Sequence, residues 1–332
     1  MILVTGGAGY IGSHAVAELR RSGMPVVVFD DLVEGHSPAV IDAPLVQGDL
    51  ADRKLLVDTL RKHRVDAVMH FAAWLSVGES VTTPLTYYEN NVGGTLAVLR
   101  AMVEEQVPHL IFSSTAATFG NPIETPITES HPQRPINAYG ETKLAIERAL
   151  PHIERAHGIR WTALRYFNAA GAQPDGTIGE DHAHEIHLIP RAIIAATGGP
   201  ALKVFGEDYP TADGTCLRDY IHVCDLADAH VRALAALDAG TSSAIYNVGT
   251  GTPHSVRSVI DAVSRAVGAP VRWESAARRP GDPSALYASS HKIQDALGWQ
   301  PRYADLDTIV QHAWRWHASH PRGYEDQPSR HD

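Results

Sequence analysis

Cysteine is almost missing: Cys216 and Cys224 are the two in 332 residues, too few for a disulfide framework and suited to a reducing compartment. No run of lysine or arginine occurs and the formal net charge is −10, so no basic groove for nucleic acid is expected. No apolar stretch approaches the ~20 residues of a membrane span. The start, Met1-Ile2-Leu3-Val4-Thr5, meets glycines at once and lacks the charged region, long apolar region and cleavage site of a secretory signal. These absences together lead us to expect a cytoplasmic protein without nucleic-acid or membrane partners. Internal repeats and low-complexity blocks are also lacking. What remains is ordinary for a globular chain, 44% hydrophobic and 20% charged, long enough for two domains or one large one.

The first motif is a turn. The apolar run Ile2–Thr5 leads into Gly6-Gly7-Ala8-Gly9-Tyr10-Ile11-Gly12, a helical pattern at 13–22, and a β-branched run at 25–29 that ends in Asp30-Asp31. Asp30 lies eighteen residues beyond Gly12. Glycines let the backbone approach a pyrophosphate at a helix N-terminus, and an acid at that distance can hold a ribose 2′-hydroxyl. The same carboxylate would repel a 2′-phosphate, which favours NAD over NADP.

Strands and helices then alternate. Leu45–Gln47 precedes Gly48-Asp49 and a helix at 52–63; Ala67–His70 enters Phe71-Ala72-Ala73; a long helix is expected at 84–105. A strand at 110–112 opens into Ser113-Ser114-Thr115-Ala116-Ala117, and a helix at Ala138–His157 precedes a strand at 160–165. This order predicts an α/β fold with a doubly wound parallel (Rossmann) sheet, whose ligands bind beyond the carboxyl ends of the strands. After Asn168 the texture changes. A loop at 171–180, helices at Leu188–Ala196, 224–237, Val256–Val267, His291–Leu297 and 306–317, strands at 218–223, Ala244–Val248 and 271–274, and a loop at 278–283 are expected. We read 1–170 as the NAD-binding domain and 171–332 as a smaller α/β substrate domain, with the segment near 220–250 returning to the first.

Tyr139-Gly140-Glu141-Thr142-Lys143 places a phenol and an ammonium one turn apart on one helix face. A free phenol has a pKa near 10, so about one in a thousand is ionised at pH 7. A fixed ammonium favours the phenolate, and each unit gained is worth about 1.4 kcal/mol. Tyr and Lys meet at this spacing by chance in many helices, so the neighbouring motifs decide its meaning.

Those motifs carry a resemblance. The glycine turn, Asp30, Tyr139 and Lys143 resemble the extended short-chain dehydrogenase/reductase superfamily. His70-Phe71-Ala72-Ala73, Val77-Gly78-Glu79-Ser80, Tyr87-Tyr88-Glu89-Asn90-Asn91-Val92, Leu164-Arg165-Tyr166-Phe167-Asn168, Gly179-Glu180-Asp181-His182, Phe205-Gly206-Glu207-Asp208-Tyr209-Pro210 and Leu217-Arg218-Asp219-Tyr220-Ile221-His222-Val223 narrow it to the UDP-glucose 4-epimerase family. The resemblance implies NAD kept in the site and interconversion of UDP-glucose and UDP-galactose through a 4-ketosugar, as in galactose metabolism. It implies that Tyr139 removes the proton of the sugar 4-hydroxyl, that Lys143 holds the nicotinamide ribose and lowers the pKa of Tyr139, and that Thr115 bridges hydroxyl and phenol. It places Gly6, Gly9, Tyr10, Ile11, Gly12, Asp30, Asp31, Asp49, Leu50, Phe71, Ala72, Ala73, Asn90, Ser113 and Tyr166 along the cofactor. The UDP-sugar would meet Phe167, Asn168, His187, Leu188, Lys203, Val204, Phe205, Arg218, Tyr220, Arg279 and Asp282, the two arginines facing the diphosphate. A homodimer through helices near 84–105 and 139–157 is implied as well.

Three positions depart from the family. Trp74-Leu75-Ser76 lacks the lysine that reaches the cofactor pyrophosphate in some members, Thr115 stands where many have serine, and His187 where some have asparagine. A nucleotide-sugar 4,6-dehydratase would need an acid pair after Thr115, where this chain has Ala116-Ala117. A non-catalytic NAD sensor would be expected to lose Tyr139 or Lys143. Leu286 is intermediate between the tyrosine that excludes an N-acetyl group and the small residues that admit it, so 4-epimerisation of UDP-N-acetylhexosamines or another UDP-sugar is the alternative. His182-Ala183-His184-Glu185-Ile186-His187 has metal-binding residue types but not the H-E-x-x-H spacing. Alternating loop histidines rarely face one point, so no metal is expected. Trp314 and Trp316 read as packing or interface residues.

Overall fold

Short apolar runs buried on both faces build a parallel sheet. A computed structural model describes residues 1–279 and 282–326 of the chain; Pro280 and Gly281 of the expected 278–283 loop, and the end of the 171–332 domain, lie outside the described residues. The strands are β1 (Ile2–Thr5), β2 (Val26–Asp30), β3 (Leu45–Gln47), β4 (Ala67–His70), β5 (His109–Thr115) and β6 (Arg160–Tyr166), with Ala244–Val248 as the seventh. Their order across the sheet is Ala244–Val248, β6, β5, β4, β1, β2, β3, every pair parallel. Alternate residues feed two cores. Leu3, Val27, Val68 and Phe112 pack with the helices Arg53–His63, Gly94–Glu104 and Ala138–His157. Val4, Val28, Met69 and Leu164 pack with Tyr10–Arg21, Val223–Asp238 and His291–Leu297.

The chain leaves β1 toward β2 and β3, then returns to β4 on the other side. The crevice of a doubly wound sheet opens at that reversal. Here Phe71 and Ala72 both donate their N–H to Thr5 O, at 2.9 and 3.1 Å, drawing the ends of β1 and β4 together.

Beyond the sheet, Asn168–Ala170 runs parallel to Leu217–His222, which also pairs with Pro253–Ser255 and Ala285–Leu286. Leu202–Phe205 pairs with Trp273–Ala276. The helices Leu188–Ala196, Val256–Val267 and Leu306–Ser319 share a separate core around Ile193, Val263 and Val310.

Several elements differ from the sequence reading. The strand read at 110–112 extends through Thr115, because β5 stays paired with β6 as far as Thr115 and Tyr166. The helix read at 84–105 is Pro84–Tyr87 and Gly94–Glu104 joined by a π turn, Tyr88–Gly93. The widened turn buries Asn91, whose amide accepts from Trp74 N at 2.8 Å and donates to Trp74 O at 3.0 Å. The strand read at 271–274 lies at Trp273–Ala276, and the short strands Leu202–Phe205 and Pro253–Ser255 were not anticipated. Three- and four-residue strands are too short to show a period.

Candidate active site

Gly6 has φ +70°, and a Cβ there would lie 2.5 Å from Ala72 N. At Gly12 a Cβ would lie 2.1 Å from Gly6 O, so neither position admits another residue without moving the turn. Helix Tyr10–Arg21 begins at Gly9 with no side-chain cap, which leaves its first N–H groups open to the crevice. Asp30 is buried, accepting Ala8 N–H and Leu32 N–H at 2.9 Å each. Burial pushes its carboxyl up while those two donors pull it down. Two acceptors per oxygen leave room for a ligand hydroxyl as well. Tyr10 is fixed by its hydroxyl to Gly171 O at 2.7 Å, while Ile11 turns into the core. Asp31 and Asp49 lie exposed at the rim, each capping its own turn through Val33 N or Ala51 N; Leu50 packs over Gly94. Phe71 rests against the His230 ring, 4.7 Å between centroids, and Asn90 donates to Asn91 at 3.0 Å.

Helix Ala138–His157 starts at Asn137, whose side chain accepts Gly140 N–H at 2.8 Å. Gly140 lets that first turn press on the turn Ala116–Phe119 that follows β5, since a Cβ would sit 2.6 Å from Ala117 O. Tyr139 and Lys143 therefore face the end of β5. Burial pushes the pKa of the Tyr139 phenol up, and the neighbouring Thr115 hydroxyl pulls it down. Lys143 is buried, donating to Ser113 O at 2.9 Å with its ammonium 5.0 Å from the Phe112 ring centre. Burial lowers its pKa to about 7, against the pull of Glu147. The sequence reading had Lys143 lowering the pKa of Tyr139. In this structure burial dominates the phenol and the ammonium is anchored to a backbone carbonyl. Tyr166 and Ser113 join the group through a 2.6 Å hydroxyl pair, so Ser113, Thr115, Tyr139, Lys143 and Tyr166 form one cluster at the ends of β5 and β6.

The remaining predicted residues line the second wall. Arg218 is held by Asp282, by Pro283 O at 3.0 Å and by Leu217 O at 2.7 Å. Arg279 lies exposed with its guanidinium 4.3 Å from the Phe205 ring centre, whereas its neighbour Arg278 is tied to Asp208 at 2.6 Å. Asn168 pairs with Tyr220 across parallel strands, and Tyr220 and Val204 are buried in the helix core. Lys203 is exposed. Leu286 pairs in register with Arg218 and packs on the cluster of Phe167, Ala116, Phe119 and Ile127. His187 and Leu188 open helix Leu188–Ala196.

The histidine loop corrects an expectation. His182 and His187 do face one point, together with Glu180 and Glu185, while His184 is exposed outside it. The two carboxylates push the pKa of His187 up to about 10 against the effect of burial. Trp316 is buried behind this loop, its indole N–H on Glu180 O at 3.2 Å, and Trp314 packs on the helix core.

Sequence reasoning missed the residues that hold the walls in place. Glu147 forms a buried ion pair with Arg165 at 2.6 Å and links β5 to the Tyr139 helix. Asp219, fully buried, accepts from Thr250, Gly251 and Ala288. Their signal was available as a charged residue inside an apolar run, Arg165 after Ala163-Leu164 and Asp219 before Tyr220-Ile221.

The chain is similar to known proteins over nearly its whole length. A model of the NAD dependent epimerase/dehydratase family matches residues 2–249. UDP-glucose 4-epimerase of Halalkalibacterium halodurans is 50% identical over 327 residues, covering 98% of each chain. The crystal structure of UDP-glucose 4-epimerase from Brucella ovis in complex with NAD is 48% identical, covers 94% of this chain and 97% of that one, and superposes with a TM-score of 0.93. The Bifidobacterium longum enzyme in complex with NAD+ and UDP is 37% identical with a TM-score of 0.91, over 97% and 99% of the chains. The chain accordingly belongs to the NAD dependent epimerase/dehydratase family, among its UDP-glucose 4-epimerases.

Proposed function

We propose that the chain interconverts UDP-glucose and UDP-galactose by 4-epimerisation with bound NAD. The carrying observation is the cluster at the end of β5, where the Thr115 hydroxyl acts on the Tyr139 phenol, Lys143 lies one turn on, and Ala116-Ala117 follow. Dehydration needs an acid at those alanines for the departing hydroxyl. With none there, Tyr139 serves the proton in both directions.

The glycine cradle, the uncapped helix end and Asp30 fit NAD. Gly6, Gly9, Tyr10, Ile11, Gly12, Asp30, Asp31, Asp49, Leu50, Phe71, Ala72, Ala73, Asn90, Ser113, Tyr166 and Lys143 would hold it, the rim carboxylates at its adenosine end. Bound NAD supplies a reversible hydride acceptor for C4 of the hexose. Tyr139 takes the 4-hydroxyl proton through or beside Thr115 and later returns it. Lys143, already positioned by Ser113 O, orients the ribose. Arg218 and Arg279 grip the diphosphate as guanidinium forks, Asp282 fixes Arg218, and Asn168, His187, Leu188, Lys203, Phe205 and the backbones of Val204 and Tyr220 frame the nucleotide, with Phe167 by the sugar. Relatives that bind NAD and UDP support this reading. Tag-free protein given UDP-galactose should yield UDP-glucose with no added reductant; absence of interconversion overturns it. Gly12→Ala should abolish NAD retention by displacing Gly6 while leaving a folded protein, checked by bound-nucleotide content and circular dichroism.

Leu286 supports a second substrate class, UDP-N-acetylhexosamines, because it borders the Phe167 cluster in register with Arg218. Leu286→Tyr should lower the kcat/KM ratio of UDP-N-acetylgalactosamine to UDP-galactose by about tenfold or more, on the scale of a filled apolar pocket. An unchanged ratio would remove Leu286 as the selector.

We also infer a homodimer. Val81, Leu85 and Tyr88 are exposed beside the Tyr139 helix, an apolar face fit for a two-fold partner. Sedimentation at micromolar concentration should give twice the chain mass. Free Cys216 and Cys224 suit the cytoplasm, and among the described residues no helix is long and apolar enough to cross a membrane.

A further inference from the structure

Glu180, His182, Glu185 and His187 stand on the loop that leads into helix Leu188–Ala196. His187 Nδ1 lies 2.7 Å from Glu180 Oε1 and 3.0 Å from Glu185 Oε1. His182 Nδ1 lies 3.2 Å from Glu185 Oε2 and 3.5 Å from Glu180 Oε1. One ligand atom from each residue falls within 4.8 Å of the other three. A tetrahedral ion with bonds of about 2.0–2.2 Å spaces its ligands about 3.3–3.6 Å apart. The four histidine–carboxylate separations run from 2.7 to 3.5 Å, mostly below that spacing, so an ion would draw the donors slightly apart.

Glu180 supplies an independent sign. It is 4% exposed, and its Oε1 has no hydrogen bond of acceptable geometry, although His187 Nδ1 is 2.7 Å away. Among the described residues, the ion pairs of Glu180 and Glu185 are with these two histidines. Two imidazole nitrogens and two carboxylate oxygens suit zinc and its neighbours, not magnesium or calcium, which take mainly oxygen.

The loop that carries the donors is braced from outside, Trp316 Nε1 donating to the backbone Glu180 O at 3.2 Å and Tyr324 N to Asp181 Oδ2 at 2.9 Å. We propose that Glu180, His182, Glu185 and His187 bind one divalent transition-metal ion of the zinc class, which clamps this loop at the start of helix Leu188–Ala196. The ion is structural: it fixes the segment carrying His187 and Leu188 and takes no part in hydride or proton transfer.

The test uses tag-free, full-length protein, saturated with zinc chloride, desalted, and assayed for metal by mass spectrometry. About one zinc per chain is expected, removable by chelator, with cobalt giving the intense visible bands of a tetrahedral site. His182→Asn and Glu185→Gln should lose the zinc, and His184→Ala, which changes the exposed histidine between them, should keep it. Circular dichroism and NAD content establish that the variants are folded. Retention that is substoichiometric in the wild type, or equal in wild type and Glu185→Gln, overturns the site. Weak octahedral cobalt bands in the wild type overturn it without recourse to any variant. None of these readouts depends on epimerase activity, so the metal site and the epimerase reading fail separately.

Discussion

Tyr139→Phe should lower turnover by about 10²–10⁴-fold while leaving NAD content and melting temperature near their wild-type values. The removed hydroxyl has the Thr115 hydroxyl as its neighbour and, among the described residues, no backbone partner, so the change takes a proton carrier away and little else. Initial rates with UDP-galactose separate the effects: kcat should fall and KM should move little, because the residues proposed to grip the nucleotide, Arg218 and Arg279, lie on the other wall. The pH profile gives a second check. A base must be ionised to take a proton, and burial pushes this phenol upward. Wild-type kcat should therefore rise with pH on its acid limb, and the residual rate of Tyr139→Phe should lose that rise. Turnover unchanged by the substitution would remove Tyr139 from the chemistry and leave the Thr115–Lys143 pair without an explanation.

Tyr139 and Lys143 were legible because a helix converts a spacing of four into a shared face, whatever surrounds it. Asp30 was legible for a similar reason: strand, turn and helix lengths between Gly12 and the end of β2 leave little freedom. The electrostatics of the pair were not. Whether an ammonium reaches a phenol depends on competing carbonyls, and Ser113 O, thirty positions before Lys143, captures it. The histidine loop failed for the same kind of reason. Glu185 bridges His182 and His187 within the loop, a contact that spacing alone does not reveal, and Trp316 and Tyr324 from the distant C-terminal helix and its following turn hold the loop in shape. The π turn at Tyr88–Gly93 escaped because apolar spacing near 3.6 continues through it, while the extra residue is visible only in the turn that buries Asn91.

Glu147→Ala should destabilise the protein by about 3–5 kcal/mol, the cost of leaving a buried partner charge unpaired. Arg165 is 2% exposed and meets Glu147 with both Nε and Nη2, at 2.9 and 2.6 Å. Ser114 Oγ and Gln133 Nε2 complete the carboxylate, at 2.5 and 2.9 Å, and the guanidinium lies 5.1 Å from the Phe119 ring centre. Removing the carboxylate leaves a guanidinium in an apolar interior, where desolvation far exceeds what its remaining contact with Glu129 O at 3.4 Å returns. The double change Glu147→Met with Arg165→Met should recover most of the loss, since it buries no charge; urea midpoints of the three proteins measure this directly. Activity should separate from stability. Glu147 stands two turns below Tyr139 on the same helix and fastens it to β5 and β6, so the double variant should remain folded yet turn over more slowly, its Tyr139 no longer held against Thr115. If the double variant is both stable and fully active, the ion pair is dispensable to the site, and the Asn137 cap and the close approach of Gly140 to Ala117 alone suffice to place the base.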